Sequence, residues 1–470
     1  MMSIKTSHLK FKPRINEEIQ NDIMRKAVVM AQERIGANRQ KMVEELGHWE
    51  EWREHAKEIR NHVIENLDAY LYQLSEKVTQ NGGHVYFAAT AEEATNYIKD
   101  VAKQKNAKKI VKSKSMVTEE IGMNHVLEAE GIKVVETDLG EYILQVAEDK
   151  PSHIVVPAIH KDRHQIRKVL AEKLGYTGSD TPEEMTLFIR ETIRNDFLEA
   201  DIGVSGCNFA VAETGSVCLV TNEGNLRLAT SLPKTHIAVM GMERLAPTFK
   251  EVDVLITLLA RSAVGARLTG YNTWLTGPRL AGETDGPEEF HLVIVDNGRS
   301  KMLGSEFREV LRCIRCGACL NTCPAYRQIG GHGHGYGSIY PGPIGSVISP
   351  ILGGYEEFKD LPSACSLCTA CNQVCPVKIP LANLLLKHRR HIAESGMNPL
   401  AERLSVKAFT LANSHPSLWK IGMNVGAKVA KLAIRDGKMP IQVGAIAEWT
   451  KARDLPDAEG ESFRSWFKNR

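Results

Sequence analysis

Apolar positions near the start of the chain recur with helical spacing. From Asn16 to Thr79 the sequence is rich in Glu, Lys, Arg and Ala and poor in breakers, which predicts helix. Ile59, Val63, Leu67, Tyr70, Leu71, Leu74 and Val78 fall on one stripe, expected to pack on the domain that follows. From His84 the period changes. Val85–Ala88, Lys109–Val111, Lys133–Glu136 and Ser152–Pro157 read as short strands. Between them, Ala91–Lys105, Met116–Glu130 and Asp162–Leu174 read as helices, and another starts at Thr181-Pro-Glu-Glu, where proline and early acids suit a first turn. Strands alternating with helices predict a mostly parallel sheet covered by helices.

Between Ala200 and Val295 strand signals become denser, with Ser216–Thr221, His236–Met240 and the apolar run Val252–Leu259 all expected as strands. Arg299–Arg312 and Leu381–Glu394 read as helices, as does the stretch from Pro399 to about Arg435. The aromatic tail, with Trp449 and Ser462–Phe467, is expected to dock on the chain itself or on a partner. Four regions follow: a helical segment 1–80, an α/β domain 81–298, a cysteine domain 299–396 and a helical region and tail 397–470.

Composition narrows the class. The 470 residues carry 59 basic and 57 acidic side chains, so no global field argues for nucleic acid. No run approaches the roughly 18 apolar residues of a membrane span. The charged N-terminus lacks an apolar export core, which together with abundant thiols points to the cytoplasm. Contact with a membrane would be peripheral, through partners.

Eight of the ten cysteines form two copies of Cys-x2-Cys-x2-Cys-x3-Cys-Pro: Cys313, Cys316, Cys319, Cys323, and Cys365, Cys368, Cys371, Cys375. Three closely spaced thiolates can wrap one face of an iron–sulfur cubane, and the cysteine before proline ligates the other cluster. Two [4Fe–4S] clusters are expected, one on Cys313, Cys316, Cys319 and Cys375, the other on Cys323, Cys365, Cys368 and Cys371. Zinc needs only four ligands in a tetrahedron, and disulfide frameworks belong to small secreted domains. The 41-residue spacer between the runs and the flanking helices suggest a helical ferredoxin rather than the small hairpin-rich kind.

Three further segments carry a resemblance. Val111-Lys-Ser-Lys-Ser-Met-Val-Thr-Glu-Glu, Ala212-Glu-Thr-Gly-Ser-Val217 and Thr235-His-Ile-Ala-Val-Met-Gly-Met-Glu-Arg-Leu-Ala-Pro247 resemble the lactate-utilisation (LUD) domain. Joined to the cysteine runs and the C-terminal helices, the chain resembles the LutB family, iron–sulfur subunits of the bacterial L-lactate utilisation system. The resemblance implies electron transport in oxidation of L-lactate to pyruvate, with LutA-like and LutC-like partner subunits. It also implies a Rossmann-like α/β layer similar to the isomerase and CoA-transferase superfamily, in which some members use a glutamate nucleophile near a Gly-rich turn. Glu213 is the matching catalytic candidate, and pairing with Arg227 or Lys234 is the plainer role for it.

Rival readings are a self-contained acyl-handling LUD enzyme, and a redox subunit serving quinone or heterodisulfide. No GxGxxG or GxxxxGK[ST] fingerprint is present, so neither flavin, nicotinamide nor nucleoside triphosphate is expected. Lys112, Lys114, His160, Lys161, Arg163 and His164 follow predicted strands and are candidates either for holding a substrate carboxylate or for a solvated face. Cys207 and Cys218, with apolar neighbours, read as buried inert thiols. His332 and His334 alternate with glycine; two ligands do not make a metal site, and a loop covering the clusters is the expected role. Tyr336 and Tyr340 could pack or line an electron exit.

Overall fold

The computed structural model describes residues 4–433 and 463–470. The chain forms two compact units, Met1–Arg390 and His391–Arg470. In the first, six parallel strands make the central sheet: β1 (His84–Ala88), β2 (Lys109–Lys112), β3 (Lys133–Glu136), β4 (Ile202–Ser205), β7 (Thr235–Gly241) and β10 (Glu289–Val295), in the order β1-β10-β7-β4-β2-β3. A second sheet has the order β8-β5-β6-β9, from β5 (Phe209–Val211), β6 (Ser216–Thr221), β8 (Leu245–Ala246) and β9 (Tyr271–Leu275). The inner strands β4, β7 and β10 are buried on both faces, which is why they read as apolar runs rather than alternating ones, whereas the edge strand β1 is largely open.

Four helices precede the sheet: Phe11–Ile19, Asp22–Leu46, Trp49–Glu65 and Leu67–Gln80. The expected stripe does pack on the next domain. Val63, Leu67, Leu74 and Val78 are buried in one cluster with Ala238 and Met240 of β7 and Phe290, Leu292 and Ile294 of β10.

Two expected strands are something else. Val252–Leu259 lies inside the helix Phe249–Ala263, whose start is fixed by a capping box between Thr248 and Glu251. Nine residues of that helix are buried, and within the run only Asp253 and Thr257 are polar, too few to tell a helical period from a buried strand over so short a stretch. Ser152–Pro157 is a turn. There the His153 Nδ1 accepts the backbone N–H groups of Val155 and Val156 at 3.0 and 3.1 Å, which takes both donors away from any ladder. The expected helix Met116–Glu130 is broken at Gly122, where φ is +65°, into Met116–Glu120 and Met123–Ala129. Arg299–Arg312 is likewise a short helix, Arg299–Leu303, followed by a 3-10 turn, Arg308–Arg312.

The cysteine region is helical, with Ala318–Asn321, Pro324–Ile329, Gly342–Gly353, Tyr355–Phe358, Ala370–Val374 and Leu381–Glu394 as its α-helices. In the second unit, Leu400–Ser414 and Pro416–Ala433 form a helix pair in which Phe409 and Trp419 meet edge to face. Trp449 lies outside the described residues, and the tail contains a short helix, Phe463–Lys468. Among the described residues, no helix is long and apolar enough to cross a membrane.

Candidate functional site: two four-cysteine pockets beside a cavity of the α/β domain

The backbone treats the two cysteine runs alike. Arg315 and Gly317 have φ of +60° and +74°; Leu367 and Thr369, at the same places in the second run, have +56° and +62°. These left-handed residues fold each run into a tight loop whose N–H groups turn inwards. The N–H of Arg315 reaches Cys313 Sγ at 3.4 Å, and that of Leu367 reaches Cys365 Sγ at 3.3 Å. Tyr326 N and Ile379 N donate to Cys323 Sγ and Cys375 Sγ at 3.5 and 3.3 Å. Gly317 has a second reason to be glycine: a Cβ there would meet His153, Ile154 and Val155 at 3.1 to 3.3 Å.

Folding brings the cysteines together as two crossed sets. Cys313, Cys316, Cys319 and Cys375 wall one small pocket, closed by Ile154, Ile344, Val377 and Ile379. Cys323, Cys365, Cys368 and Cys371 wall another. All eight are free of disulfides. Burial pushes Cys316, Cys319 and Cys323 up, Cys375 to about 11 and Cys371 to about 12, so without a bound cation these five hold their protons. A four-thiol wall with inward N–H donors fits an iron–sulfur cluster: iron supplies the positive charge that displaces the protons, and the N–H groups stabilise the sulfur that carries the negative charge.

The sets differ in surroundings. Cys316, Cys319 and Cys375 are buried, whereas Cys368 of the other set is exposed. Arginines frame the first set. Arg53 donates to the carbonyl of Cys375 at 2.8 Å and Arg244 to that of Cys313 at 2.9 Å. Arg60, fully buried, donates to the carbonyls of Leu245 at 2.7 Å, Leu311 at 3.0 Å and Arg312 at 3.3 Å, tying the α/β domain to the cysteine domain. Arg315 lies over the Tyr340 ring at 4.3 Å. These arginines were not singled out in the sequence: Arg53 and Arg60 share the helix Trp49–Glu65, Arg244 follows β7, and only Arg315 lies within a cysteine run.

A cavity of about 240 Å³ opens at the carboxyl ends of β2 and β4, where ligands of parallel sheets bind. Its wall includes Ser113, Lys114, Cys207, Asn208, Arg244 and Arg315, so it adjoins the Cys313 loop. Ser113 Oγ and Arg315 Nη1 are buried there without a hydrogen-bond partner. Of the six basic candidates only Lys114 lines this cavity, its Nζ donating to the Val155 carbonyl at 2.8 Å. Lys112 is buried against Glu136 and Glu119 at 2.6 and 2.9 Å, a structural ion cluster. His160 and Lys161 pair with Asp149, and Arg163 and His164 with Asp180. They follow β-like sequence, but their local acids pull them elsewhere.

Glu213 lies in the exposed turn between β5 and β6, outside the wall of this cavity, and its N–H donates to the Pro247 carbonyl at 3.1 Å. Neither expected partner meets it: Arg227 stacks over Tyr271, and Lys234 faces Glu288. Cys218 is buried, and burial pushes Cys207 up to about 12, which leaves both thiols protonated. Tyr336 is buried beside Cys323, and Tyr340 donates to the buried Glu120 carboxylate.

Residues 71–295 match the LUD domain family, 309–379 the 4Fe-4S dicluster domain and 387–470 the C-terminal domain of lactate utilisation protein B. Lactate utilization protein B of Bacillus licheniformis is 59% identical over 471 residues, covering 100% of this chain and 98% of its own. The chain belongs to the LutB family. A second relative, the uncharacterized electron transport protein YkgF of Escherichia coli K12, is 74% identical over 467 residues, 99% of this chain and 98% of that one. The α/β domain with its parallel sheet is therefore a LUD domain, and the cysteine region that follows it is a [4Fe–4S]-binding ferredoxin domain.

Proposed function

We propose that this LutB-family chain carries electrons in the oxidation of L-lactate to pyruvate, as the cytoplasmic iron–sulfur subunit of an assembly with LutA-like and LutC-like partners. The observation that carries the reading is the pair of crossed four-cysteine pockets, one sealed beside the LUD cavity and one reaching the surface at Cys368. Two [4Fe–4S] clusters are assigned, on Cys313, Cys316, Cys319 and Cys375, and on Cys323, Cys365, Cys368 and Cys371. When bound, each supplies a one-electron relay with no iron position left open for substrate. The chain's own residues hold the sulfurs in place, exclude water from the inner set and balance its charge with Arg39, Arg53, Arg60, Arg244 and Arg315. Cys368 marks where electrons pass to or from a partner.

The same reading assigns the regions 1–80, 81–298, 299–396 and 397–470 as helical segment, LUD domain, ferredoxin domain and C-terminal region. It also treats the LUD layer as Rossmann-like, akin to the isomerase and CoA-transferase superfamily. Lactate gives up two electrons and two protons to become pyruvate, so a two-electron acceptor must stand between it and a chain of one-electron relays. The sequence carries no dinucleotide fingerprint to bind one, which assigns that step to a partner.

A second reading, a substrate-handling LUD domain with the clusters as accessories, draws on the unpartnered Ser113 Oγ and Arg315 Nη1 in the cavity wall. One experiment separates them. Anaerobically prepared chain, holding about eight irons and about eight sulfides, is mixed with L-lactate while cluster absorbance is followed. No bleaching until partner subunits are added is the expected result. Rapid bleaching of the isolated chain would replace the relay by the enzyme reading, and zinc without sulfide would overturn both.

A further inference from the structure

We propose that Asp149, His160 and His334 form a binding site for a divalent first-row transition-metal cation of the zinc or iron(II) kind, with Glu18 orienting His334. Fold topology makes this cluster from three remote segments. Glu18 ends the first helix, Asp149 and His160 bracket the turn that replaces the expected strand, and His334 sits in the Gly-His loop between the cysteine runs. One ligand atom from each of Asp149, His160 and His334 lies within 4.8 Å of the other two. His160 Nε2 is 3.1 Å from Asp149 Oδ2, and the two imidazole rings are 4.6 Å apart. Donors held about 2.0–2.1 Å from zinc in a tetrahedron stand about 3.3 Å from each other, so shifts of about 1 Å suffice.

The donor chemistry is specific. Two imidazoles and one carboxylate suit zinc or iron(II) and leave a coordination position open. His334 Nδ1 is 3.0 Å from Glu18 Oε1, the carboxylate–histidine pairing that fixes a ligand's tautomer and frees the opposite nitrogen. That opposite nitrogen, His334 Nε2, is buried without a hydrogen-bond partner, and so are His160 Nδ1 and Glu18 Oε2. Three orphaned polar atoms in one cluster are unusual in a folded protein, where buried polar groups are nearly all satisfied. His160 is 94% buried. Lys161 also contacts Asp149 Oδ2; a carboxylate has lone pairs enough to serve a lysine and a metal together.

A metal here would staple the Gly330–Gly337 loop to the LUD domain. The loop is already seated against that domain at one end, where a Cβ on Gly331 would lie 1.5 Å from the Ser152 carbonyl oxygen, and the metal would add a second tie at His334. The loop also carries Tyr336, which is buried beside Cys323 of the outer set. Occupancy should therefore slow loss of iron from the outer cysteine set.

The test uses the full-length protein with its clusters in place, equilibrated with Zn²⁺ and then freed of excess by gel filtration. Elemental analysis should find one zinc per chain in addition to the iron. Zinc K-edge X-ray absorption should show only nitrogen and oxygen neighbours at about 2.0–2.1 Å. D149N and H334Q should lose the zinc, and E18Q should bind it about 10- to 100-fold more weakly, with iron content and circular dichroism unchanged at the start of each measurement. Sulfur neighbours, no retained zinc, or equal retention by D149N and H334Q would overturn the proposal. Should the variants fail to fold, the wild-type absorption spectrum and stoichiometry still decide, since hydrogen-bonded His–Asp and His–Glu pairs without a metal predict no retained zinc.

Discussion

Replacing Arg299 by methionine should give stability a pH dependence between pH 5.5 and 7.5 that its carboxylate partners do not give the wild type. Arg299 is 1% exposed and makes a bidentate pair with Glu120 at 2.8 Å for both contacts, and a third bond to Glu243 Oε2 at 2.7 Å. Glu120 also accepts from Asn297 and from Tyr340, so the cluster joins the LUD domain to the spacer between the cysteine runs. Burial by itself would raise both carboxyls, yet Arg299 holds Glu120 low, and Arg299, Arg315 and Arg244 hold Glu243 down to about 2. Both folded values lie below the unfolded one. Their stabilisation is therefore complete above about pH 4.5 and is lost as pH falls through the folded values. Between pH 5.5 and 7.5 they give the wild type no slope. In the methionine variant Glu120 loses its cation, burial wins, and the folded carboxyl takes up a proton that the unfolded chain does not hold. Stability should fall by about 3–5 kcal/mol at pH 7.5. The deficit should shrink towards pH 5.5, by up to about 1.4 kcal/mol per pH unit for one proton. The assay is urea unfolding of anaerobic protein at four pH values, followed by circular dichroism and cluster absorbance. R299K, which keeps the charge without the fork, should show a smaller loss and little slope. A deficit in R299M that is flat between pH 5.5 and 7.5 would refute the reasoning.

Cys375→Ser should leave the same electron paramagnetic resonance spectrum as Cys313→Ser and a different one from Cys365→Ser, because Cys375 walls the pocket of the first run; a match to Cys365→Ser would reject the crossed assignment. Arg315→Gln removes a buried positive charge beside Cys313, costing the reduced inner cluster about 1–2 kcal/mol at an effective dielectric of about 20, or about 40–90 mV for one electron. Anaerobic redox titration should show one potential moving down and the other nearly still; an upward shift, or equal shifts, would count against the arginine frame.

Much of this protein was legible along the chain because its signals are local. Cysteine spacing is set by how a short loop can present thiols, so both runs could be read without knowing the fold, and Leu381–Glu394 keeps a helical stripe along its length. The parallel sheet followed from alternation of short strands and helices: β1, β2, β3 and β7 were read close to their observed bounds, whereas β4 and β10 were not singled out. Where local signals conflicted the reading failed. Val252–Leu259 carries only Asp253 and Thr257 as polar residues, and an apolar run that short does not tell a largely buried helix from a strand. The Thr248–Glu251 capping box was the signal that could have found it. Ser152–Pro157 has strand-like residues, but a histidine side chain satisfies its backbone.

The rest belongs to tertiary structure, since it depends on residues that meet only after the chain has closed. Arg53 and Arg60 from the helix Trp49–Glu65 and Arg244 from the turn after β7 converge with Arg315 of the first run on one cysteine set. Glu213, adjacent in sequence to a glycine-rich turn, ends exposed outside the cavity, whereas Lys114, one basic residue among six, ends inside it. His334 gains Asp149, His160 and Glu18 as neighbours from positions far away in the chain. Ligand spacing is a property of a loop and can be written in a motif. The charge, burial and company that tune those ligands come from long-range packing, which no short window of sequence contains.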